Sequence, residues 1–237
     1  MNLIATAPEP WLVTPKLRLR EFADDDRAEL VRMHQDPRVR ALLIDDEPLH
    51  RHDVVAVFIQ RLRELYRRHE GLGIWCAQRM VPVLSEQDLA NPEVCAMFSP
   101  ELLAEYARPQ PQFAGWFNLM PMPERDGEVE LGSRLLPAAW GTGLAMEGGE
   151  QLLRHAFETL ALPRVWAVCH PQHESVRYCV LSLGFDDKGV QPYDGKPARH
   201  FLIEAASWRA HHALPRRERV RRAMGLMKNT GPVAALH

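Results

Sequence analysis

The chain has 237 residues, 46% hydrophobic and 25% charged, with a net charge of −2, the composition of an ordinary globular protein able to bury a core. Near-neutrality argues against a dedicated nucleic-acid binder. The charge is uneven, however: seven basic residues against one acid between Ser207 and His237 make that tail +6 and the remainder −8.

Met1 to Pro15 carries three prolines and Trp11 and reads as a surface arm. It has neither the basic nor the apolar region of a secretion signal, and no apolar run approaches a membrane span. Four scattered cysteines without a CxxC pair indicate reduced thiols. A cytoplasmic location is the expectation.

Leu17-Arg18-Leu19-Arg20 alternates apolar and basic, the pattern of a half-buried strand. Asp24-Asp25-Asp26 then precedes a helical run ending at Asp36-Pro37, and reads as a solvated helix start rather than a metal site. Asp53 to Arg68 keeps the apolar spacing of a long amphipathic helix. His50 and His52 at its start lack a third ligand, so surface histidines are expected there and no metal.

Gly71 and Gly73 open a strand, Ile74–Ala77. The span from about 79 to 112 is irregular and reads as an insertion, a lid or a dimer contact, in which Ser99-Pro100-Glu101 signals a helix from Pro100 to Tyr106. Phe113–Leu119 and Glu128–Leu136 are two strands of a hairpin.

That hairpin leads into Arg134–Glu150, RLLPAAWGTGLAMEGGE, in which small residues precede a helix. Free N–H groups and the positive end of a helix dipole there form an anion cradle. A Walker loop is excluded because no Lys follows the glycines, and Met146 occupies the place where a dinucleotide fingerprint needs a small residue. Gly148 and Gly149 cost the helix roughly 1 kcal/mol each, reasonable where it approaches a strand or ligand closely. Arg164–Cys169 is the most apolar strand. His170–Ser175 is a polar turn, Val176–Leu183 a short helix capped by Gly184, and Lys196–Ile203 a last strand. Val220, Ala223, Met224 and Met227 keep helical spacing among arginines, the mark of an amphipathic helix.

The pattern resembles the GNAT superfamily of acetyl-CoA-dependent N-acetyltransferases, in particular its RimJ/RimL-like branch. Thr14-Pro15-Lys16-Leu17-Arg18-Leu19-Arg20 matches the branch's T-x-R-L-x-L-R. Glu130, Leu131, Gly132, Leu135, Pro137, Trp140, Gly141, Gly143, Ala145 and Glu147 match its E-[IL]-G-x-x-L-x-P-x-x-W-G-x-G-x-A-x-E, and Pro171, Leu183, Gly184 and Phe185 match its closing motif in part.

The resemblance implies an α+β fold: three α/β/α layers around a mixed, mostly antiparallel central sheet splayed at the acyl-CoA site. It places this domain at 14–206, after an arm at 1–13 and before a basic tail at 207–237. The implied cosubstrate is acetyl-CoA, with its pyrophosphate on Trp140, Gly141, Thr142, Gly143, Leu144, Ala145 and Met146, and its pantetheine along Leu135 and Leu136. Transfer by direct attack of an amine needs no covalent nucleophile, so Cys169 and Cys179 are expected as buried, inert thiols.

Glu130 is the implied general base; the alternative is an exposed strand residue paired with Arg134. The branch's Ser proton donor has no aligned match, because Val176 occupies its place. Ser175, one residue early, is the candidate acid, or else a helix N-cap. His173 could bond the pantetheine or donate a proton, whereas Tyr178 faces elsewhere.

The expected acceptor is a primary amine, on a protein N-terminus or a small molecule. A non-catalytic acyl-CoA-binding module of the same fold is the alternative. A homodimer, or contact of the basic tail with nucleic acid or a ribosome, completes the range of expected partners.

Overall fold

The computed structural model describes residues 8–123 and 125–229; the ends of the arm and of the basic tail lie outside them. The elements follow in chain order. β1 (Leu12–Val13) and β2 (Leu17–Arg20) precede α1 (Arg27–Gln35), α2 (Pro37–Arg40) and α3 (His52–Arg68). β3 (Gly73–Pro82) and β4 (Pro109–Pro121) bracket α4 (Glu86–Leu89), α5 (Pro92–Ala96) and α6 (Pro100–Tyr106). Then come β5 (Val129–Leu135), α7 (Leu144–Arg154), β6 (Arg164–Cys169), α8 (Glu174–Ser182), β7 (Asp186–Tyr193) and β8 (Lys196–Glu204). α9 (Ala205–His212) and α10 (Arg216–Asn229) close the chain.

The strands form one open sheet in the order β1-β2-β3-β4-β5-β6-β8-β7. Every pairing is antiparallel except β5 with β6, and that parallel pair is held by a single bridge, Glu130 opposite Trp166. Beyond Glu130 the two strands part, so the β6-facing edge of β5 from Leu131 to Leu135 has no strand partner among the described residues. This is the splayed, mostly antiparallel sheet that the resemblance implied.

Alternation along β5 sorts its side chains between two cores. Val129, Leu131 and Leu135 join the larger core with Leu152, Leu153 and Phe157 beneath α7 and Val180 and Leu181 of α8. The opposite face carries a second core, built from Leu30 and Met33 of α1, Val55 and Ile59 of α3, and Trp116. Helices thus cover both faces, and Glu130, Gly132 and Arg134 point to the α1 side.

α7 crosses the sheet closely because it carries glycine where it touches β4. A Cβ on Gly148 would lie 2.2 Å from the Phe117 ring, and one on Gly149 2.6 Å from Leu183. The propensity cost of these glycines is therefore offset by close packing of α7 on β4 and on the end of α8.

Several boundaries depart from the sequence reading. β3 and β4 stay paired out to Pro82 opposite Pro109, so both flanks of the irregular 79–112 span are strand and the three short helices occupy its tip. Within that tip Ser99 caps α6 through the Leu102 N–H, as its sequence signal indicated. Leu12 and Val13, read as arm, pair with Leu19 and Arg18. Asp26, read as solvated, is buried in a bidentate pair with Arg20 at 2.7 Å and also accepts from the Ala23 N–H. The apolar stripe of α10 packs on its own chain: Ala223 is fully buried against the main core, and Arg219 pairs with Glu150 of α7. No helix among the described residues is long and apolar enough to cross a membrane.

Candidate functional site

The loop between β5 and α7 is built from the backbone outward. Gly141 and Gly143 have φ of +72° and +83°, a left-handed conformation that favours glycine. A Cβ at either would meet nothing within 4 Å, so they are required by backbone geometry and leave the loop open. Gly143 is the N-cap of α7. The Glu147 N–H returns to the Gly143 carbonyl, but the N–H groups of Gly141 through Met146 find no acceptor among the described residues. Such a rim of unmet donors at a helix N-terminus suits a phosphate-sized anion.

The walls of this loop are fixed. Thr142 Oγ1 donates to the Ala139 carbonyl at 2.7 Å, and Trp140 Nε1 donates to the Leu135 carbonyl at 2.9 Å. The Leu136 N–H is taken by the Ala114 carbonyl. These bonds use two of the groups expected to meet the pantetheine, leaving the parted edge of β5 between Leu131 and Leu135 for strand-like contacts. Met146 turns inward, its sulfur 3.4 Å from Cys179 Sγ.

Glu130 stands at the root of the split. Its carboxylate accepts from the Tyr193 hydroxyl at 2.9 Å. Burial pushes its pKa above the ordinary carboxylate value, against the smaller opposing effect of the Tyr193 bond. Arg134 is not its partner: the guanidinium pairs instead with Asp45, donates to His34 Nε2 at 2.8 Å, and lies 4.6 Å over the Trp116 ring.

The tautomer of His34 follows from its contacts. Nδ1 lies 2.7 Å from the Leu30 carbonyl and must donate, so Nε2 accepts from Arg134 and the ring is neutral. Burial is the main cause that pulls its pKa down to about 4, opposed by the Leu30 bond and reinforced by the nearby Arg134 charge. Beside this pair opens a cavity of about 460 Å³ lined by His34, Arg40, Asp45, Glu47 and His50 among others. Asp46, on the same loop, forms an ion pair with Lys196 at the start of β8, joining the α2–α3 loop to the β7–β8 hairpin.

On the far side of the split, His173 is the N-cap of α8 without a side-chain cap bond, and Ser175 lies inside the first turn. Ser175 Oγ and His173 Nδ1 are 3.1 Å apart. Burial, and then the neighbouring His170, lower the His173 pKa. The turn is anchored by Arg177, which reaches Glu174 at 3.1 Å and Asp187 at 3.4 Å, while Arg199 grips the same Asp187 at 2.7 Å. Tyr178 is exposed on the surface of α8. Burial pushes the thiols of Cys169 and Cys179 up to about 12, so neither is a thiolate near neutrality.

Sequence reasoning did not single out Tyr193, His34 or Asp45. They reach β5 from 63, 100 and 89 residues away, and nothing local in the sequence marks such pairings.

A splayed sheet, an N–H cradle at the start of α7 and a half-buried carboxylate at the split together define an acyl-CoA-dependent transferase fold. The chain belongs to the acetyltransferase (GNAT) domain family, whose model matches residues 16–186, and the donor used by that family is acetyl-CoA. Over 61 residues it is 39% identical to FsC-acetyl coenzyme A-N(2)-transacetylase of Aspergillus fumigatus, covering 23% of this chain and 26% of that protein. Over 79 residues it is 25% identical to the N-acetyltransferase YoaA of Bacillus subtilis, covering 33% and 45%. The matches thus span less than half the length of these relatives.

Solved structures share the fold across most of the chain. RimL, a ribosomal alpha-N-protein acetyltransferase in complex with coenzyme A, superposes with a TM-score of 0.59 at 12% identity, over 83% of this chain and 98% of that one. The microcin self-immunity acetyltransferase MccE, in complex with acetyl-CoA and AMP, gives 0.58 at 12% identity, over 81% and 93%.

Proposed function

We propose that the chain is an N-acetyltransferase that moves an acetyl group from acetyl-CoA to a primary amine by direct attack on the thioester, acting in the cytoplasm through the domain at 14–206. The observation that carries this reading is Glu130: a half-buried carboxyl with a raised pKa, held by Tyr193, at the point where β5 and β6 part. A general base works best with a pKa raised toward working pH, and desolvation moves the Glu130 carboxyl in that direction.

The bound cosubstrate supplies an electrophilic thioester carbonyl and a thiolate leaving group. The free N–H groups of Gly141 to Met146 bind its pyrophosphate. The open edge of β5 receives the pantetheine amides as an added strand would be received. Glu130 accepts the ammonium proton, with the Tyr193 hydroxyl steadying the carboxylate. The amine enters over the α1 face of the sheet, beside the cavity lined by His34, Asp45 and Glu47.

Ser175 returns a proton to the leaving sulfur. Its hydroxyl can serve as donor when His173 carries its proton on Nδ1 and donates to Oγ, since the hydroxyl hydrogen is then free to point into the split. With the other tautomer the hydroxyl is spent on His173.

Thiol release from acetyl-CoA, measured against a panel of small amines and peptide N-termini, tests the reading. Release with at least one acceptor, lost in Glu130→Gln, is the expected result. Tight coenzyme A binding with no release for any acceptor would instead favour a non-catalytic acyl-CoA-binding module, the alternative raised by the displaced Ser175.

A further inference from the structure

The paired outer halves of β3 and β4 carry their tip clear of both cores. No residue from Val83 to Ala107 is buried. The tip is tied to itself: the Val83 and Leu84 N–H groups both donate to the Tyr106 carbonyl, and the Phe98 ring meets the Tyr106 ring edge-on at 5.5 Å. Met97 is nonetheless 75% exposed, and Val83 and Leu102 are also open to solvent.

This tip is charged with one sign. Glu86, Asp88, Glu93, Glu101 and Glu105 fall in it, and neither Lys nor Arg occurs between Val83 and Ala107. Asp88 accepts from the Ser85 hydroxyl at 2.6 Å, and none of the five meets a cation among the described residues. Glu101 and Glu105 lie one turn apart on α6, next to the exposed Leu102.

The complement is at the other end of the chain. Ala223 anchors α10 to the main core. Arg217, Arg221, Met224 and Lys228, at i, i+4, i+7 and i+11, form an exposed stripe on the same helix. Arg219 and Arg222 are paired, with Glu150 and Glu218. Arg217, Arg221 and Lys228 meet no carboxylate among the described residues. Met224 is half exposed among them.

Each surface thus sets charges one turn apart beside an open apolar side chain, with opposite signs on the two. Burial of Met97, Leu102 and Met224 supplies attraction, and the opposed charges set the orientation. Nucleic acid would suit α10 but be repelled by the tip, whereas a second copy of the chain satisfies both surfaces at once. A twofold axis that seats each tip on the other copy's α10 closes the contact as a dimer rather than a filament.

We propose that the acidic tip between β3 and β4 docks on the basic stripe of α10 in a second copy of this chain, and that two such contacts join a twofold dimer.

Sedimentation equilibrium of the full chain at low ionic strength tests this with two variants. One carries Glu101→Lys and Glu105→Lys, the other Arg217→Glu and Arg221→Glu. The parent should be a dimer that added salt weakens. Either variant alone sets like charges across both contacts, so its dissociation constant should rise about a hundredfold or more. An equimolar mixture of the two restores opposite charges at both contacts and should dimerise as the parent does. Met97→Ser and Met224→Ser, at side chains outside the core, should each weaken the dimer about tenfold, and they keep the test valid if a charge reversal disturbs folding. A monomeric parent would overturn the proposal, and so would variants that dimerise like the parent. Two monomeric variants whose mixture stays monomeric would separate the tip from α10 and overturn it too. A monomeric parent retained on RNA through α10 would assign the stripe to nucleic acid instead.

Discussion

The Thr14 hydroxyl donates to Oε1 of Glu147, tying the turn between β1 and β2 to the first turn of α7. Thr14 Oγ1 in turn accepts from the Leu17 N–H at 2.9 Å. Thr14 and Glu147 belong to two separate stretches of the branch motif, and neither needs to touch a ligand for the pattern to make sense. Their bond fixes the start of α7, and with it the N–H cradle, against the sheet edge.

Thr14→Val, nearly isosteric, should therefore destabilise the fold by about 1.5–3 kcal/mol, as expected for a hydrogen bond to a charged group. At this chain length each kcal/mol lowers Tm by about 2–4 °C. Thr14→Ser should retain most of the stability. Calorimetry on the three proteins checks this, and an unchanged Tm in Thr14→Val would show that the bond carries no weight.

Two glycine substitutions should move stability in opposite directions. Gly148→Ala drives a Cβ into the Phe117 ring, and overpacking of this kind costs about 1–3 kcal/mol despite the better helix propensity of Ala. Gly225→Ala, in α10, meets nothing within 4 Å and should gain about 0.5–1 kcal/mol. Denaturant midpoints of the two variants read both effects, and the same sign for both would contradict the packing argument.

His34 predicts an acid sensitivity of defined sign. Its folded pKa lies below its unfolded value, about 4 against 6.5, so the unfolded chain binds the extra proton first. The stabilisation is complete above pH 6.5 and is lost as pH falls toward 4, by an amount on the order of 3 kcal/mol. Stability measured between pH 7.5 and 4 should fall steeply in the parent and more gently in His34→Gln. Parallel curves would remove His34 as the cause.

Glu130 works in the other sense. Its folded pKa is raised by burial, so its favourable contribution is present below the ordinary carboxylate range and is lost as pH rises through the folded value. Glu130→Gln should match the parent in Tm at low pH and exceed it at pH 8, because the variant buries no charge. In the reaction proposed here the same substitution should cut kcat/KM about a hundredfold or more and abolish the acidic limb of its pH profile. A variant that keeps full activity would end the base assignment.

Much of this architecture was legible in the residues. Ser99-Pro100 announced α6 to the residue, and the strand, WGTGLA and helix run located the cradle. What stayed hidden had physical causes. β7 contains Gly189 and Pro192, poor strand formers that are tolerated because β7 is an edge strand whose register shifts between Asp187 and Val190. The outer halves of β3 and β4 carry Pro82, Pro109 and Pro111, which read as breakers although the two strands pair there. The arginines of α10 suggested a free basic face, whereas Ala223 anchors that helix to its own core. The partners of Glu130 and Arg134 come from distant segments, and sequence spacing carries no record of them.

The lone bridge between Glu130 and Trp166 also bears on cohesion. Five strands lie on one side of it and three on the other, and across that seam one rung of backbone pairing joins them among the described residues. A molecule seated in the seam touches both banks. It would act as a rivet as well as a reactant, so ligand binding should slow amide exchange in β5 and β6 together, well beyond the residues that it contacts.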